Sequence, residues 1–135
     1  MGTTPAEALA RLEQAAEDGR LEELCRQYDV RLLTVFGSAA RREPSARDLD
    51  VAVLLGAGLD VLALHDALAR LTGSDDVDLL DLTRAGPVAR EQALVGCVAL
   101  HESERGLWAE RRTRATMERM ETAWLRRLDL DLLRS

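Results

Sequence analysis

The stretch VFGSAARREPSARDLDVAVLL, residues 35–55, constrains the fold of this chain more than any other segment does. It begins and ends with short apolar runs of the kind found in strands, where β-branched residues are enriched. Between these runs lie a Gly-Ser pair, three arginines and two aspartates, Asp48 and Asp50. The stretch therefore predicts two strands joined by a polar loop, with two carboxylates at the start of the second strand.

Predicted helices and strands alternate along the rest of the chain. The first helix has clear boundary signals, because Thr4 can cap it, Glu7 completes a capping box and Gly19 suits its end. The predicted elements are helices at 4–18, 21–30, 59–73, 87–97 and 103–133, one helical turn at 39–42, and strands at 31–37, 48–56, 75–83 and 98–102.

This alternation predicts one domain that spans residues 1–135 and belongs to the α/β (α+β) class. We expect a small mixed sheet of three to four strands flanked by helices, with a long C-terminal helix. In the helix at 59–73, the side chains of Leu62, Leu68 and Leu71 are expected to face the core. Cys25 and Cys97 lie in apolar helical patterns without a C-x-x-C motif, which predicts two buried free thiols.

The composition argues against several classes of function. Proteins that bind nucleic acid are usually basic or carry stacking aromatic residues, whereas this chain has a net charge of -6 and 3% aromatic residues. No apolar run approaches the length of a membrane span. We therefore expect a cytoplasmic protein that forms no stable complex with nucleic acid and does not enter a membrane.

Three aspartates are the candidate metal ligands. Asp48 and Asp50 point to the same face of a strand, because side chains alternate along a strand with a period of two. Asp78 lies inside the third predicted strand; Asp76 shares its face and Asp81 takes the opposite one. Carboxylates from two neighbouring strands are typical of metal-dependent phosphoryl or nucleotidyl transfer. The alternative is a solvated start of a strand that binds no metal.

The Gly-Ser pair is a candidate phosphate-binding turn. Gly37 allows a close approach of the backbone, and Ser38 adds a hydroxyl to the exposed amide donors. The guanidinium groups of Arg41, Arg42 and Arg47 can face phosphate oxygens in the same pocket, or some of them can be solvated loop charges. We take Gly37, Ser38 and Arg41 as the candidate nucleotide-binding residues.

The segment GSAARREPSARDLDVAV resembles the signature of the nucleotidyltransferases of the DNA polymerase beta superfamily. That signature is a Gly-Ser pair, a spacer of roughly ten residues and Asp-x-Asp in a strand; the spacer here has nine residues. Over residues 30–104 the chain is similar to the minimal nucleotidyltransferase (MNT) proteins. VDLLDL resembles the strand that carries their third carboxylate, and GCVALHESE resembles the short strand before their last helix.

The resemblance implies the DNA polymerase beta-like nucleotidyltransferase fold and a role for five positions. Gly37 and Ser38 match the turn that holds the nucleotide triphosphate, and Asp48 and Asp50 match the metal ligands. Asp78 matches the third carboxylate, which binds metal or takes the proton of the acceptor. Family members often read G-S-R-A-R-G and then S-D-x-D, and this sequence departs from that pattern at three positions: Ala39, Arg42 and Arg47.

The same resemblance implies a function. MNT proteins are often the antitoxin of a toxin–antitoxin pair and transfer AMP from ATP to a tyrosine of a HEPN-domain ribonuclease toxin. It thus implies ATP as substrate, two Mg²⁺ ions, a HEPN toxin encoded by the adjacent gene and a homodimer or hetero-oligomer. Three alternatives remain: neutralisation of the toxin by binding alone, transfer to a small molecule as in aminoglycoside nucleotidyltransferases, and extension of nucleic acid.

The C-terminal helix carries an apolar stripe. Met117, Met120, Trp124 and Leu128 follow one another at spacings of three, four and four residues, which places them on one face. This stripe either covers the sheet of the chain itself or docks a partner toxin or a second copy.

Overall fold

A computed structural model describes residues 3–56 and 60–134 of the chain. The described helices are α1 (Pro5–Asp18), α2 (Arg20–Gln27), α3 (Gly37–Ala40), α4 (Val61–Thr72), α5 (Pro87–Leu94) and α6 (Leu107–Arg134). The described strands are β1 (Val30–Phe36), β2 (Leu49–Leu55), β3 (Val77–Asp81) and β4 (Val98–Glu102). The predicted order of elements and the long C-terminal helix are confirmed.

The four strands form one mixed sheet in the order β3-β2-β1-β4. β1 pairs with β2 and with β4 in the antiparallel sense, whereas β2 pairs with β3 in the parallel sense. A parallel pair needs a crossover connection, and α4 provides it between β2 and β3. The predicted mixed sheet of three to four strands flanked by helices is confirmed.

Each face of the sheet is covered by its own set of helices. Along β2, Val51 and Val53 pack with the buried residues of α1, α2 and α4. The alternate residues Ala52 and Leu54 pack with buried residues of α5 and the first half of α6, including Leu94. Odd-numbered residues of β2 therefore face α1, α2 and α4, and even-numbered residues face α5 and α6.

The helix boundaries follow the capping signals in the sequence. Thr4 Oγ1 accepts a hydrogen bond from the Glu7 amide at 3.1 Å, and Pro5 occupies the first helical position. Gly19 ends α1 with a φ of 89°, a left-handed conformation that glycine adopts without strain. In α4, Asp60 Oδ1 accepts from the Ala63 amide at 3.2 Å. The predicted cap by Thr4 and the helix end at Gly19 are confirmed; Glu7 accepts from the hydroxyl of Thr4 and not from its backbone amide, so the capping box is only half formed.

Three predicted details are wrong. Leu62 is 79% exposed, whereas Leu71 is half-buried. The two residues lie nine positions apart, which is about two and a half helical turns, so their side chains project from opposite sides of α4. The single helical turn predicted at 39–42 lies instead at Gly37–Ala40. Cys25 is buried, and burial raises the pKa of its thiol to about 12, but Cys97 is only half-buried. The predicted first residue of α4, Leu59, lies outside the described residues.

The apolar stripe on α6 does not cover the sheet. The exposed fractions of Met117, Met120, Trp124 and Leu128 are 64%, 68%, 60% and 42%. The interpretation of this stripe as part of the core is therefore wrong. Within the described residues, no helix is both long enough and apolar enough to cross a membrane.

Candidate functional site

Asp50 and Asp78 lie side by side on neighbouring strands. The register of the parallel pair places Asp50 of β2 opposite Asp78 of β3. Because paired residues in a sheet project to the same face, their carboxylates share the face that carries Ala52 and Leu54. Asp48 is exposed and lies one residue before β2, rather than inside it. The sheet thus brings together carboxylates that lie 28 residues apart in the sequence.

The pKa of Asp50 shows that its carboxylate is close to other charged groups. Partial burial raises the pKa of Asp50, and the negative charges of Asp78 and then Asp48 raise it further. The positive charge of Arg41 acts in the opposite direction and lowers it. Two neighbouring carboxylates raise the pKa of the third and, among the described residues, only one guanidinium lowers it, so the site keeps an excess of negative charge, which attracts cations.

Nothing in the described part of the chain neutralises this charge directly. Among residues 3–56 and 60–134, the carboxylates of Asp48, Asp50 and Asp78 form no ion pair or hydrogen bond. In the same residues, no three His, Cys, Asp or Glu side chains already converge as a metal-ligand cluster. The oxygen donors fit Mg²⁺ in type and charge. Asp48 and Asp78 are exposed, so their side chains can change rotamer freely.

Gly37 places the turn after β1 directly against Asp50. Its φ is +74°, and a Cβ atom built at this position would collide with the Asp50 carboxylate, lying 3.3 Å from its Cγ. The pairing of Phe36 with Asp50 across β1 and β2 explains the contact, since Gly37 is the next residue along the chain. Glycine is therefore required here both by the backbone conformation and by the space that Asp50 occupies.

Ser38 and Arg41 extend the same turn. The Glu43 amide donates to Ser38 O at 3.0 Å and the Arg41 amide donates to Gly37 O at 3.2 Å, which closes the turn into one helical turn. The first amides of a helical turn have no partner within it and are available to an anion. Arg41 Nε also donates to Glu43 Oε1 at 2.8 Å, and its positive charge is close enough to lower the pKa of Asp50.

The sequence profile of the family described as polymerase beta nucleotidyltransferase matches residues 20–105 of the chain. The chain belongs to this nucleotidyltransferase family. The matched range contains the Gly-Ser turn and all three aspartates. No curated protein matches the chain in sequence.

Solved structures agree with this assignment of the fold. One similar chain, in a complex of a tri-AMPylated Shewanella oneidensis HEPN toxin with an MNT antitoxin, is 25% identical with a TM-score of 0.64, and the match covers 91% of this chain and 99% of that one. A chain of a toxin–antitoxin complex with AMP-PNP is 24% identical, with a TM-score of 0.66 and coverages of 87% and 98%. A chain of the MntA–HepT toxin–antitoxin complex is 24% identical, with a TM-score of 0.63 and coverages of 90% and 99%.

The backbone explains one departure of this nucleotidyltransferase from the pattern of its family. Arg42 has a φ of 58°, a left-handed conformation that is unfavourable for any residue with a side chain. Family members often have glycine at this position, and the turn of this chain keeps the left-handed conformation that suits glycine. The side chain of Arg42 points to Glu13 of α1, 3.8 Å away, and not to Asp50. Arg47 is exposed and has no ion-pair partner among the described residues, as expected of a solvated loop charge.

The other acidic residues of the third strand of this nucleotidyltransferase have structural roles. Asp81 faces the opposite side of β3, where its Oδ1 accepts from the Thr83 amide at 3.0 Å and its Oδ2 lies 3.8 Å from Arg84 Nε. The carboxylate of Asp81 therefore shapes the turn that follows β3. Asp76 precedes β3, and its carbonyl accepts from the Leu49 amide at 2.8 Å, which fastens the starts of β2 and β3 together.

No pattern in the sequence indicated a role for His65. Its Nε2 lies 2.8 Å from the carbonyl oxygen of Val77, the residue that precedes Asp78, so the ring ties α4 to β3 beside that aspartate. A single histidine within a helix carries no sequence signal for such a contact, because the contact depends on how α4 packs. We regard His65 as a residue that positions Asp78 through the backbone.

Proposed function

We propose that this chain is the antitoxin of a toxin–antitoxin pair and that it transfers AMP from ATP to a tyrosine hydroxyl of a HEPN toxin. The observation that carries the proposal is the in-register pairing of Asp50 and Asp78 beside the Gly37 turn. The family assignment and the likeness to a chain from the complex of an AMPylated HEPN toxin with an MNT antitoxin support it.

Each candidate residue has a defined task in this proposal. The amides of the turn that begins at Gly37, with the hydroxyl of Ser38 and the charge of Arg41, hold the triphosphate of ATP. Asp48, Asp50 and Asp78 hold Mg²⁺, which supplies positive charge for the α-phosphate and the leaving pyrophosphate.

Asp78 has a second task, because it is the exposed member of the paired carboxylates. In the proposed reaction its carboxylate accepts the proton of the tyrosine hydroxyl as the oxygen attacks the α-phosphate. The exposure of Asp78 is consistent with an acceptor that arrives on another protein.

Transfer of label from [α-³²P]ATP to the toxin, in the presence of Mg²⁺, tests the proposal. We expect wild-type protein to label the toxin and Asp50→Asn to reduce labelling by several orders of magnitude while the protein stays folded. The matched control is Asp81→Asn, which removes a carboxylate from the opposite face of the neighbouring strand and should retain labelling.

The same experiment separates the proposal from neutralisation by binding alone. If wild-type protein and Asp50→Asn protected cells from the toxin equally and neither labelled it, the chain would act as a binding antitoxin. If only small hydroxyl compounds were labelled, the acceptor in the proposal would be wrong.

A further inference from the structure

A second cavity lies at the end of the sheet opposite the carboxylates. Its volume is about 420 Å³, and it is formed where the ends of β2 and β3 meet α5 and α6. Leu55, one of its lining residues, follows Asp50 by five residues along β2, a distance of about 17 Å for an extended strand. A molecule in this cavity therefore does not touch the site described above.

Four arginines line this cavity, although the protein as a whole is acidic. They are Arg31, Arg90, Arg111 and Arg114. They come from β1, α5 and α6, so the fold gathers them from segments that are distant in the sequence. The cavity contains one carboxylate of its own, that of Glu118. Its lining thus has an excess of positive charge, whereas the net charge of the chain is -6.

Arg90 is already occupied by hydrogen bonds that hold the fold together. Arg90 donates to both carboxylate oxygens of Glu118, at 2.8 and 3.0 Å, and its Nε donates to Leu82 O at 3.0 Å. This half-buried pair joins α5 to α6 and to the end of β3. Glu118 is therefore committed to Arg90 and does not neutralise the other three guanidinium groups.

The remaining arginines are free or loosely paired. Arg111 forms no hydrogen bond or ion pair with the described residues, and its Nε is buried without a partner. Arg31 pairs with Glu104 at 3.2 Å and Arg114 pairs with Glu110 at 2.8 Å, and both of these glutamates are more than half exposed. Exposed ion pairs contribute little free energy, so an anion in the cavity can replace these partners. A buried guanidinium nitrogen without an acceptor is unfavourable and gains most from such an anion.

The rest of the lining of the cavity is largely apolar. It is built from Leu54, Leu82, Leu94 and Ala115. The volume falls within the range of small-molecule sites and exceeds what a lone inorganic anion needs. Three guanidinium groups match a dianion such as a phosphate better than a single carboxylate, because each can donate two hydrogen bonds.

We propose that this cavity binds a small organic phosphate, with its phosphate group held by Arg31, Arg111 and Arg114 and its apolar or aromatic body against the leucine wall. A nucleoside monophosphate has this chemistry and about this size. Because the ligand bridges the sheet and α6, its binding stabilises the docking of α6.

Titration calorimetry with AMP and with inorganic phosphate, in the presence of EDTA, tests this inference. We expect AMP to bind more tightly than phosphate, and Arg111→Gln to weaken AMP binding by roughly tenfold or more, since a charge-assisted hydrogen bond is lost. Arg114→Gln should weaken it as well, and because Arg114 is exposed this variant keeps the fold if Arg111→Gln does not.

The matched control is Arg126→Gln, which makes the same change on an exposed turn of α6, fifteen residues or about 22 Å beyond Arg111. Control and wild type should bind AMP equally. The inference is overturned if neither AMP nor phosphate binds to the wild type, or if the variants at positions 111 and 114 bind AMP as the control does, since binding would then lie at the carboxylate end of the sheet.

Discussion

Removal of the charge of Asp50 should inactivate the protein and at the same time stabilise its fold. The carboxylate of Asp50 is half-buried beside Asp78 and near Asp48, and each of these conditions makes its ionised form unfavourable. Asparagine has nearly the same shape and no charge, so Asp50→Asn relieves the repulsion without leaving a cavity. Loss of function and gain of stability are therefore expected from a single substitution.

The gain in stability can be estimated from the distance between neighbouring strands. Neighbouring strands lie about 5 Å apart. Two unit charges at that distance repel by about 0.8 kcal/mol at the dielectric constant of water. Burial increases this energy, and solvent and salt reduce it for groups that are half exposed, so we expect a net gain of about 0.5–1 kcal/mol in the free energy of unfolding. For a domain of this size that corresponds to a rise in melting temperature of about 2–4 °C.

The stability difference between Asp50→Asn and wild type should depend on pH. The pKa of Asp50 is raised in the folded state, so ionisation of Asp50 opposes folding at neutral pH, and this penalty disappears as the pH falls through the raised value. Differential scanning calorimetry in EDTA at pH 7 should therefore show Asp50→Asn melting above wild type, with a difference that shrinks as the pH falls through the raised pKa and is gone below the unperturbed value of 3.8. Addition of Mg²⁺ should raise the melting temperature of the wild type more than that of the variant.

The control for this experiment is Asp81→Asn, because Asp81 accepts a hydrogen bond from the Thr83 amide and lies near Arg84. The asparagine oxygen can still accept from the Thr83 amide, but the attraction of Arg84 is lost, so this variant should gain no stability and lose at most about 1 kcal/mol. A lower melting temperature for Asp50→Asn in EDTA at pH 7 would refute the reasoning, since it would mean that the carboxylate stabilises the empty fold.

Three further changes test β3, the turn at Arg42 and the end of α6. Asp78→Asn should abolish labelling of the toxin while Asp81→Asn retains it, and the reverse ranking in a transfer assay would exclude Asp78 as the third carboxylate of the site. Arg42→Gly should raise the free energy of unfolding by about 1 kcal/mol in urea denaturation, because glycine removes the strain of a left-handed residue. A chain that ends at Thr122 should keep its melting temperature but lose binding to the toxin, because residues 123–133 are exposed and carry Trp124; unfolding of this shorter chain would assign them to the core instead.

The carboxylate site was largely predictable from the sequence, whereas the second cavity was not. The period of two in a strand placed Asp48 with Asp50 on one face and Asp76 with Asp78 on one face, and the position of Asp78 between Val77 and Leu79 identified the strand that carries it. The parallel pairing that sets Asp50 opposite Asp78 depends on how α4 crosses the sheet, which periodicity does not encode. Arg31 and Arg111 lie 80 residues apart, so their convergence follows only from packing.

The way in which α6 is anchored has a consequence for the lifetime of the protein. Among the described residues, the last side chain of α6 that forms an ion pair with α5 is Arg119, which pairs with Glu91, and all side chains from 123 to 133 are exposed. A helical segment whose side chains are exposed, such as residues 123–131, is marginal in water, so in the unbound chain it should exchange with coil and offer a site for proteolysis. A partner that docks on the stripe around Trp124 would hold the segment helical and protect it. We therefore expect the survival of this chain in the cell to depend on whether its partner is bound.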